Sequence, residues 1–256
     1  MTPEDDDQRA SHGRPRPKEW NWEESRHPTQ AFYDVVLRRR DVRAEFTGEP
    51  IPDDVLTRVL EAAHAAPSVG LSQPWDFVLV SSHETRAAFR EHVLAEREVF
   101  ARSLPEDRNE TFAKIKIEGI LESSLGIVVT YDPGRGAPDV LGRHAIADAG
   151  LYSVCLAIQN LWLAATAEGL GVGWVSFYRE EFLRDLVGIP AGIRPVAWLC
   201  VGGVNRLHET PDLERFGWRH RRPLTAATHL ERFGDPATVH TVPAVTGPTP
   251  EKTSTQ

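Results

Sequence analysis

Apolar positions recur along the chain in two rhythms. From Thr29, Phe32, Val35 and Val36 follow helical spacing, and Val55, Leu56, Val59, Leu60 and Ala63 repeat it after the break at Pro50-Ile51-Pro52. Asp53 or Asp54 is placed to cap that second helix, and Pro67 to stop it. Residues 84–100 are charged apart from a thin stripe of Ala88, Phe89 and Val93, which predicts a surface helix; residues 180–187 predict a short one. Compact apolar runs at 77–80, 125–131, 174–178 and 195–201 read as buried strands, the last closed by Gly202-Gly203. Residues 104–124 are mixed, and Lys114 and Lys116 beside a hinge at Gly119 suggest a lid. A long loop with four glycines at 132–150 leads into a helix at 151–168 that is apolar on nearly every side. Such a helix is either the hub of the core or part of a subunit interface.

Composition narrows the classes. The 256 residues are 41% hydrophobic, enough for one large domain or two small ones. The net charge of −8 argues against a broad nucleic-acid surface and, beside local arginine clusters, points to small anionic ligands. Residues 1–28 read as a polar, mobile arm, with Trp20 and Trp22 expected to dock onto something; residues 29–230 form the domain and 231–256 a Pro/Thr-rich tail. The arm has no apolar signal region. The most apolar window, 151–165, is broken by Ser153, Gln159 and Asn160, so no membrane segment is expected and the cytoplasm is the expected compartment. Cys155 and Cys200 both lie in apolar segments and read as reduced core thiols. The 10 histidines form no ligand spacing, so no metal is expected.

The chemistry concentrates in two arginine clusters. Arg38-Arg39-Arg40-Asp41-Val42-Arg43 places four guanidinium groups around one carboxylate, and a second cluster runs from Arg219 to Arg222. Guanidinium forks match phosphate and carboxylate geometry, although a run of charge is also what a solvated face looks like. If the clusters converge, they form an anion pocket whose neighbours can hold a flat, partly polar ring. Adjacent arginines should favour the charged form of Asp41, as a base, a hydrogen-bond acceptor or simply an ion-pair partner. The loop Pro67-Ser68-Val69-Gly70-Leu71-Ser72-Gln73-Pro74-Trp75 joins a helix to a buried strand, a usual place for a ligand. Ser176 lacks a nucleophile-elbow pattern, so its hydroxyl is a candidate donor rather than a nucleophile. Gly169, Gly171 and Gly173 follow a helix and precede a strand, the reverse of the dinucleotide fingerprint, which excludes that fold.

Taken together, Arg39-Arg40-Asp41-Val42-Arg43, Ala66-Pro67-Ser68-Val69-Gly70 with Gln73-Pro74-Trp75, the helix from Leu151 to Ala165, Gly173-Trp174-Val175-Ser176 and Gly217-Trp218-Arg219 resemble the nitroreductase-fold flavoproteins. More narrowly they are similar to the 5,6-dimethylbenzimidazole synthase branch, through Asp41 and Ser176. The resemblance spans roughly 29–224 and departs from the branch at Ser72, Asp76 and Gly150. It implies an α+β fold, a mixed sheet flanked by helices, with the long central helix at a homodimer interface that carries two FMN sites. Reduced FMN would be the substrate, fragmented with O2 into the lower ligand of cobalamin and erythrose 4-phosphate. Electrons would come from a flavin reductase or from NAD(P)H. By resemblance Arg39, Arg40, Asp41, Val42, Arg43, Ser68, Gln73, Ser176 and Arg219 bind the flavin, and Asp41 and Ser176 act in fragmentation. An ordinary NAD(P)H-dependent nitroreductase, with FMN as hydride shuttle, and a non-catalytic FMN-binding module are the alternatives.

Overall fold

The computed structural model describes residues 30–236. In chain order these form α1 (Gln30–Arg38), α2 (Asp53–His64), β1 (Phe77–Val80), α3 (His83–Arg102), α4 (Glu106–Ala113), β2 (Leu125–Tyr131), α5 (Ala149–Ala167), β3 (Leu170–Val175), α6 (Glu180–Val187), β4 (Arg194–Gly203) and the short α7 (Asp212–Arg215). The arm assigned to residues 1–28, with Trp20 and Trp22, and the tail beyond residue 236 lie outside the described residues.

The four strands pair antiparallel in the order β1-β2-β4-β3. Alternation along the central strands sorts the core into two layers. Ile127, Val129, Ala197, Leu199 and Val201 face α2 and α5, whereas Val128, Trp198 and Cys200 face the layer of Phe89, Val93, Phe112 and Leu183. Helices therefore cover both faces of the sheet, the α+β arrangement expected. Parallel character is confined to one bridge, Asp41 to Val172, beyond the edge of β3.

Local signals act where they were read, with adjustments. Ser82 caps α3 by accepting the Thr85 N–H at 3.3 Å. Asp53 and Asp54 fall inside the first turn of α2, behind an N-cap at Pro52, so they serve the helix dipole rather than the cap. Segment 104–124 is packed onto the body, with Phe112, Ile115 and Ile117 lining a cavity. After α4 the side chains of Ile115, Ile117 and Ile120 are buried, and a Cβ on Gly119 would stand 2.6 Å from the Arg43 carbonyl. That glycine is a packing contact, not a hinge.

Two further expectations change. The third strand begins at Leu170 and ends at Val175, which leaves Ser176 in the turn beyond it. α5 buries only one side: Ser153, Val154, Ala157, Ile158, Leu161, Trp162 and Ala165 face inward, while Tyr152, Cys155, Leu156 and Gln159 are exposed. Cys155 is therefore not a core thiol, although Cys200 is fully buried. The departure at Gly150 also has a cause, since a Cβ there would meet the Tyr131 hydroxyl at 2.6 Å.

Candidate active site

The site grows from the way residues 41–43 lie against β3. The Val42 N–H donates to the Val172 carbonyl at 3.0 Å, and the Trp174 N–H donates to Asp41 Oδ1 at 3.0 Å. This approach requires glycine at 173, where a Cβ would stand 2.1 Å from the Val42 carbonyl oxygen. The glycines that resembled a phosphate loop thus let the arginine segment reach the sheet. Val42 anchors the segment: its amide is bonded to the strand and its side chain is buried, while the residue also lines the cavity beside Asp41.

Arg39, Arg40 and Arg43, alike in appearance, have different work. Arg43 pairs with Asp41. Arg40 donates to the Leu37 and Arg39 carbonyls at 2.6 and 2.8 Å and to the Glu209 carbonyl, which ties the segment after β4 to the first motif. The Arg39 guanidinium lies 4.9 Å from the centre of the Trp162 ring and makes no side-chain hydrogen bond among the described residues. Trp162 is itself held by donating to the Arg40 carbonyl at 3.0 Å. Arg221 lines the same 530 Å³ pocket as Arg39 and Arg40, so the two clusters converge through Arg221. Burial, with Arg221 alongside, lowers the proton affinity of both Arg39 and Arg40, and only Arg39 has Asp41 to oppose it. Three neighbouring cations and the buried, unpartnered Nε atoms of Arg40 and Arg43 fit an anion such as a phosphate.

Asp41 departs from expectation. Removal from water pushes its carboxyl above the ordinary 3.8, against the pull of Arg43, the Trp174 N–H and Arg39, and Asp212 adds to the rise. About 33% of its side chain stays open. A carboxylate with raised proton affinity suits proton exchange better than the permanently charged acceptor that its neighbours alone would make.

Three pockets adjoin in a row between residues 39–43 and the segment after β4. The Arg39–Arg40–Arg221 pocket shares Arg40, Thr210 and Pro211 with a cavity of 120 Å³ lined by Asp41, Glu45, His208 and Asp212. Through Arg43 and Leu213 this adjoins a third cavity, of 220 Å³, walled by Phe100, Phe112, Trp174, Phe177 and Trp218 with Ser176 in its lining. The furrow thus runs from free guanidinium groups, past Asp41, to aromatic rings. Its outer wall is fastened where Glu45 meets His208 at 3.1 Å and where Arg108 covers the Trp218 ring at 3.8 Å.

Ser68 and Gln73 are not in this furrow. Ser68 Oγ accepts the Gln73 N–H at 3.0 Å, the Gln73 amide donates to the His64 carbonyl at 3.1 Å, and the Val69 N–H donates to Ser153 Oγ at 3.1 Å. The loop rests on the N-terminal half of α5, whereas Trp162 and Arg39 sit nine residues on, about 14 Å along the helix. Arg219 lines none of the three pockets; Arg221 takes that place. Sequence reasoning also missed the aromatic wall, whose members come from three distant segments. Among the described residues no group of three His, Cys, Asp or Glu could hold a metal ion.

Comparison with known proteins follows this geometry. The family model described as the nitroreductase family matches residues 36–203. The 5,6-dimethylbenzimidazole synthase of Rhodospirillum rubrum is 41% identical over 186 residues, covering 72% of this chain and 87% of that protein. Among solved structures, a BluB-like flavoprotein of Clostridium difficile 630 superposes with a TM-score of 0.59 at 18% identity, over 78% of this chain and 98% of its own. Oxidized iodotyrosine deiodinase bound to FMN and 3-iodo-L-tyrosine superposes with a TM-score of 0.58 at 23% identity, over 69% and 91%. At these identities the two structures speak for the fold.

Proposed function

The chain belongs to the nitroreductase family, and within it we propose that the protein is a 5,6-dimethylbenzimidazole synthase, which uses O2 to fragment reduced FMN into that base and erythrose 4-phosphate for the lower ligand of cobalamin. The observation that carries the reading is Asp41. It is held on β3 by the Trp174 N–H, midway along a furrow with guanidinium groups at one end and an aromatic cavity at the other. The flavin is the substrate, and its redox-active ring reacts with oxygen.

The protein's own groups divide the remaining work. Arg39 and Arg221 hold the phosphate; Arg40 keeps the segment after β4 closed over it. Asp41 exchanges protons with the flavin, and Arg43 fixes its carboxylate. Ser176 lines the ring pocket together with the aromatic wall, and that wall keeps water from the reacting ring.

The site is completed by a second copy of the chain. α1 and α5 leave Phe32, Tyr33, Leu37, Tyr152 and Leu156 exposed, an apolar surface suited to a homodimer. A twofold axis across α5 carries the Ser68–Gln73 loop of one subunit toward the Arg39 end of the other, where it lines the flavin. The unpaired cysteines suit a reducing cytoplasm, with a flavin reductase or NAD(P)H as electron source.

The deciding assay supplies chemically reduced FMN and air to the purified protein. Formation of 5,6-dimethylbenzimidazole is expected. Steady NAD(P)H-dependent reduction of nitroaromatics without that product would make the chain an ordinary nitroreductase, and FMN binding with neither activity would make it a flavin carrier.

A further inference from the structure

The furrow adjoins one side of the aromatic cavity, and a surface pocket adjoins another. The surface pocket, of 370 Å³, is lined by Glu96, Val99, Ser103, Tyr178 and Arg179. The two share Phe100, Ser176 and Phe177. Phe100 and Phe177 meet edge to face, with ring centres 5.5 Å apart, and with Ser176 they form the partition between the interior and this mouth. The openings differ in kind. The furrow ends in Arg39, Arg40 and Arg221, whereas the second mouth is reached past aromatic rings.

Fragmentation of a flavin nucleotide releases, besides the polar remnant of its pyrimidine ring, two products that differ in the same way. One is a fused, apolar heteroaromatic base and the other a sugar phosphate. The 220 Å³ cavity is ample for a fused two-ring base, and its walls of Phe112, Trp174 and Trp218 offer stacking surfaces. Arg43 also lines it, at the end where the cavity adjoins the furrow.

Building on the proposed activity, we propose that the aromatic cavity is a product subsite for a base of the benzimidazole class, which leaves between Phe100 and Phe177 past Val99 while the sugar phosphate leaves along the arginine furrow. Charge keeps the phosphate at its own end. The base, neutral and apolar, has no need to cross the guanidinium groups.

Because the flavin itself is consumed, the state that releases products is the flavin-free protein, and the test uses that state of the full chain. 5,6-Dimethylbenzimidazole is mixed with it in a stopped-flow instrument, and binding is followed by quenching of tryptophan fluorescence. Val99 is half exposed, so Val99→Phe narrows the mouth without disturbing the core. It should slow association and dissociation together, by about tenfold, at unchanged Kd. Phe177→Leu widens the gate and should speed both. Saturating erythrose 4-phosphate should leave binding of the base unaffected. Absence of binding, rates in Val99→Phe equal to those of the parent, or competition by the sugar phosphate would each overturn the proposal. None of these readouts requires turnover, so failure of the synthase reading shows separately, as absence of the base from reduced FMN and air.

Discussion

In the proposed reaction Asp41 is the residue on which the chemistry turns, and its environment sets a pH signature. Activity needs the carboxylate to accept a proton, and burial raises its pKa above 3.8, so the rate should climb with pH through a limb above the ordinary carboxylate range. Asp41→Asn should remove that limb, lower product formation at least about a hundredfold and still bind FMN. Formation at the parent rate would leave Asp41 as an ion-pair partner only. The linkage sign follows from the same shift. A folded-state pKa above the unfolded one means that the folded protein binds the extra proton, so this group's contribution to stability is lost as pH rises through the folded value. In the flavin-free protein the melting temperature of Asp41→Asn should therefore gain on the parent as pH increases. At the other end of the furrow, Arg39→Ala removes a guanidinium with no hydrogen bond among the described residues, which costs the fold little. It should weaken FMN binding about 10- to 150-fold, the loss of a charge-assisted hydrogen bond or two, as measured by fluorescence titration.

At the scale of elements, β3 and α5 do most of the positioning. Gly173→Ala puts a methyl group against the Val42 carbonyl, so residues 41–43 must move off the strand. A loss of about 1–3 kcal/mol is expected in chemical denaturation, with activity falling further because Asp41 moves with the segment. α5 was legible as a long apolar helix, but not which side of it stays uncovered. Its two-sided composition serves two surfaces, the sheet beneath and the exposed row of Tyr152, Cys155 and Leu156. The cysteines make this measurable. Cys200, fully buried, has its thiol pushed up to about 12 and should resist alkylation until the protein unfolds. Cys155 should react quickly in dilute, dissociated protein and slowly once α5 is covered by a second chain.

For the whole molecule, the separation of the Ser68 loop from Arg39 along α5 is what the proposed dimer would bridge, each flavin site then being a joint product of two chains. Mixing subunits tests this directly. A heterodimer of Arg39→Ala with Ser68→Tyr keeps one site in which both the arginine and the loop are native, so it should recover about half of the parent's flavin stoichiometry although neither homodimer binds well. Were loop and arginine of one chain to serve the same site, the heterodimer would recover nothing. The homologous synthase and the shared fold place the chemistry within the family, and the mixed dimer tests how the site is shared.

Local signals sufficed for much of this. Residues 125–131 and 180–187 are bounded as expected because apolar runs and the left-handed Gly188 stop are properties of neighbouring residues. The arginine clusters and Asp41 were likewise visible, since spacing and residue type carry them, and the α+β arrangement followed from the family resemblance. Tertiary structure decided the rest. Only packing separates Arg39, open to an anion, from Arg40, bound to backbone carbonyls, and puts Arg221 where Arg219 was expected. Only burial raises the proton affinity of Asp41 against the pull of the arginines around it. The aromatic cavity joins residues near 100, 112, 177 and 218, contacts that no local pattern encodes because they exist only once the sheet has brought distant segments together.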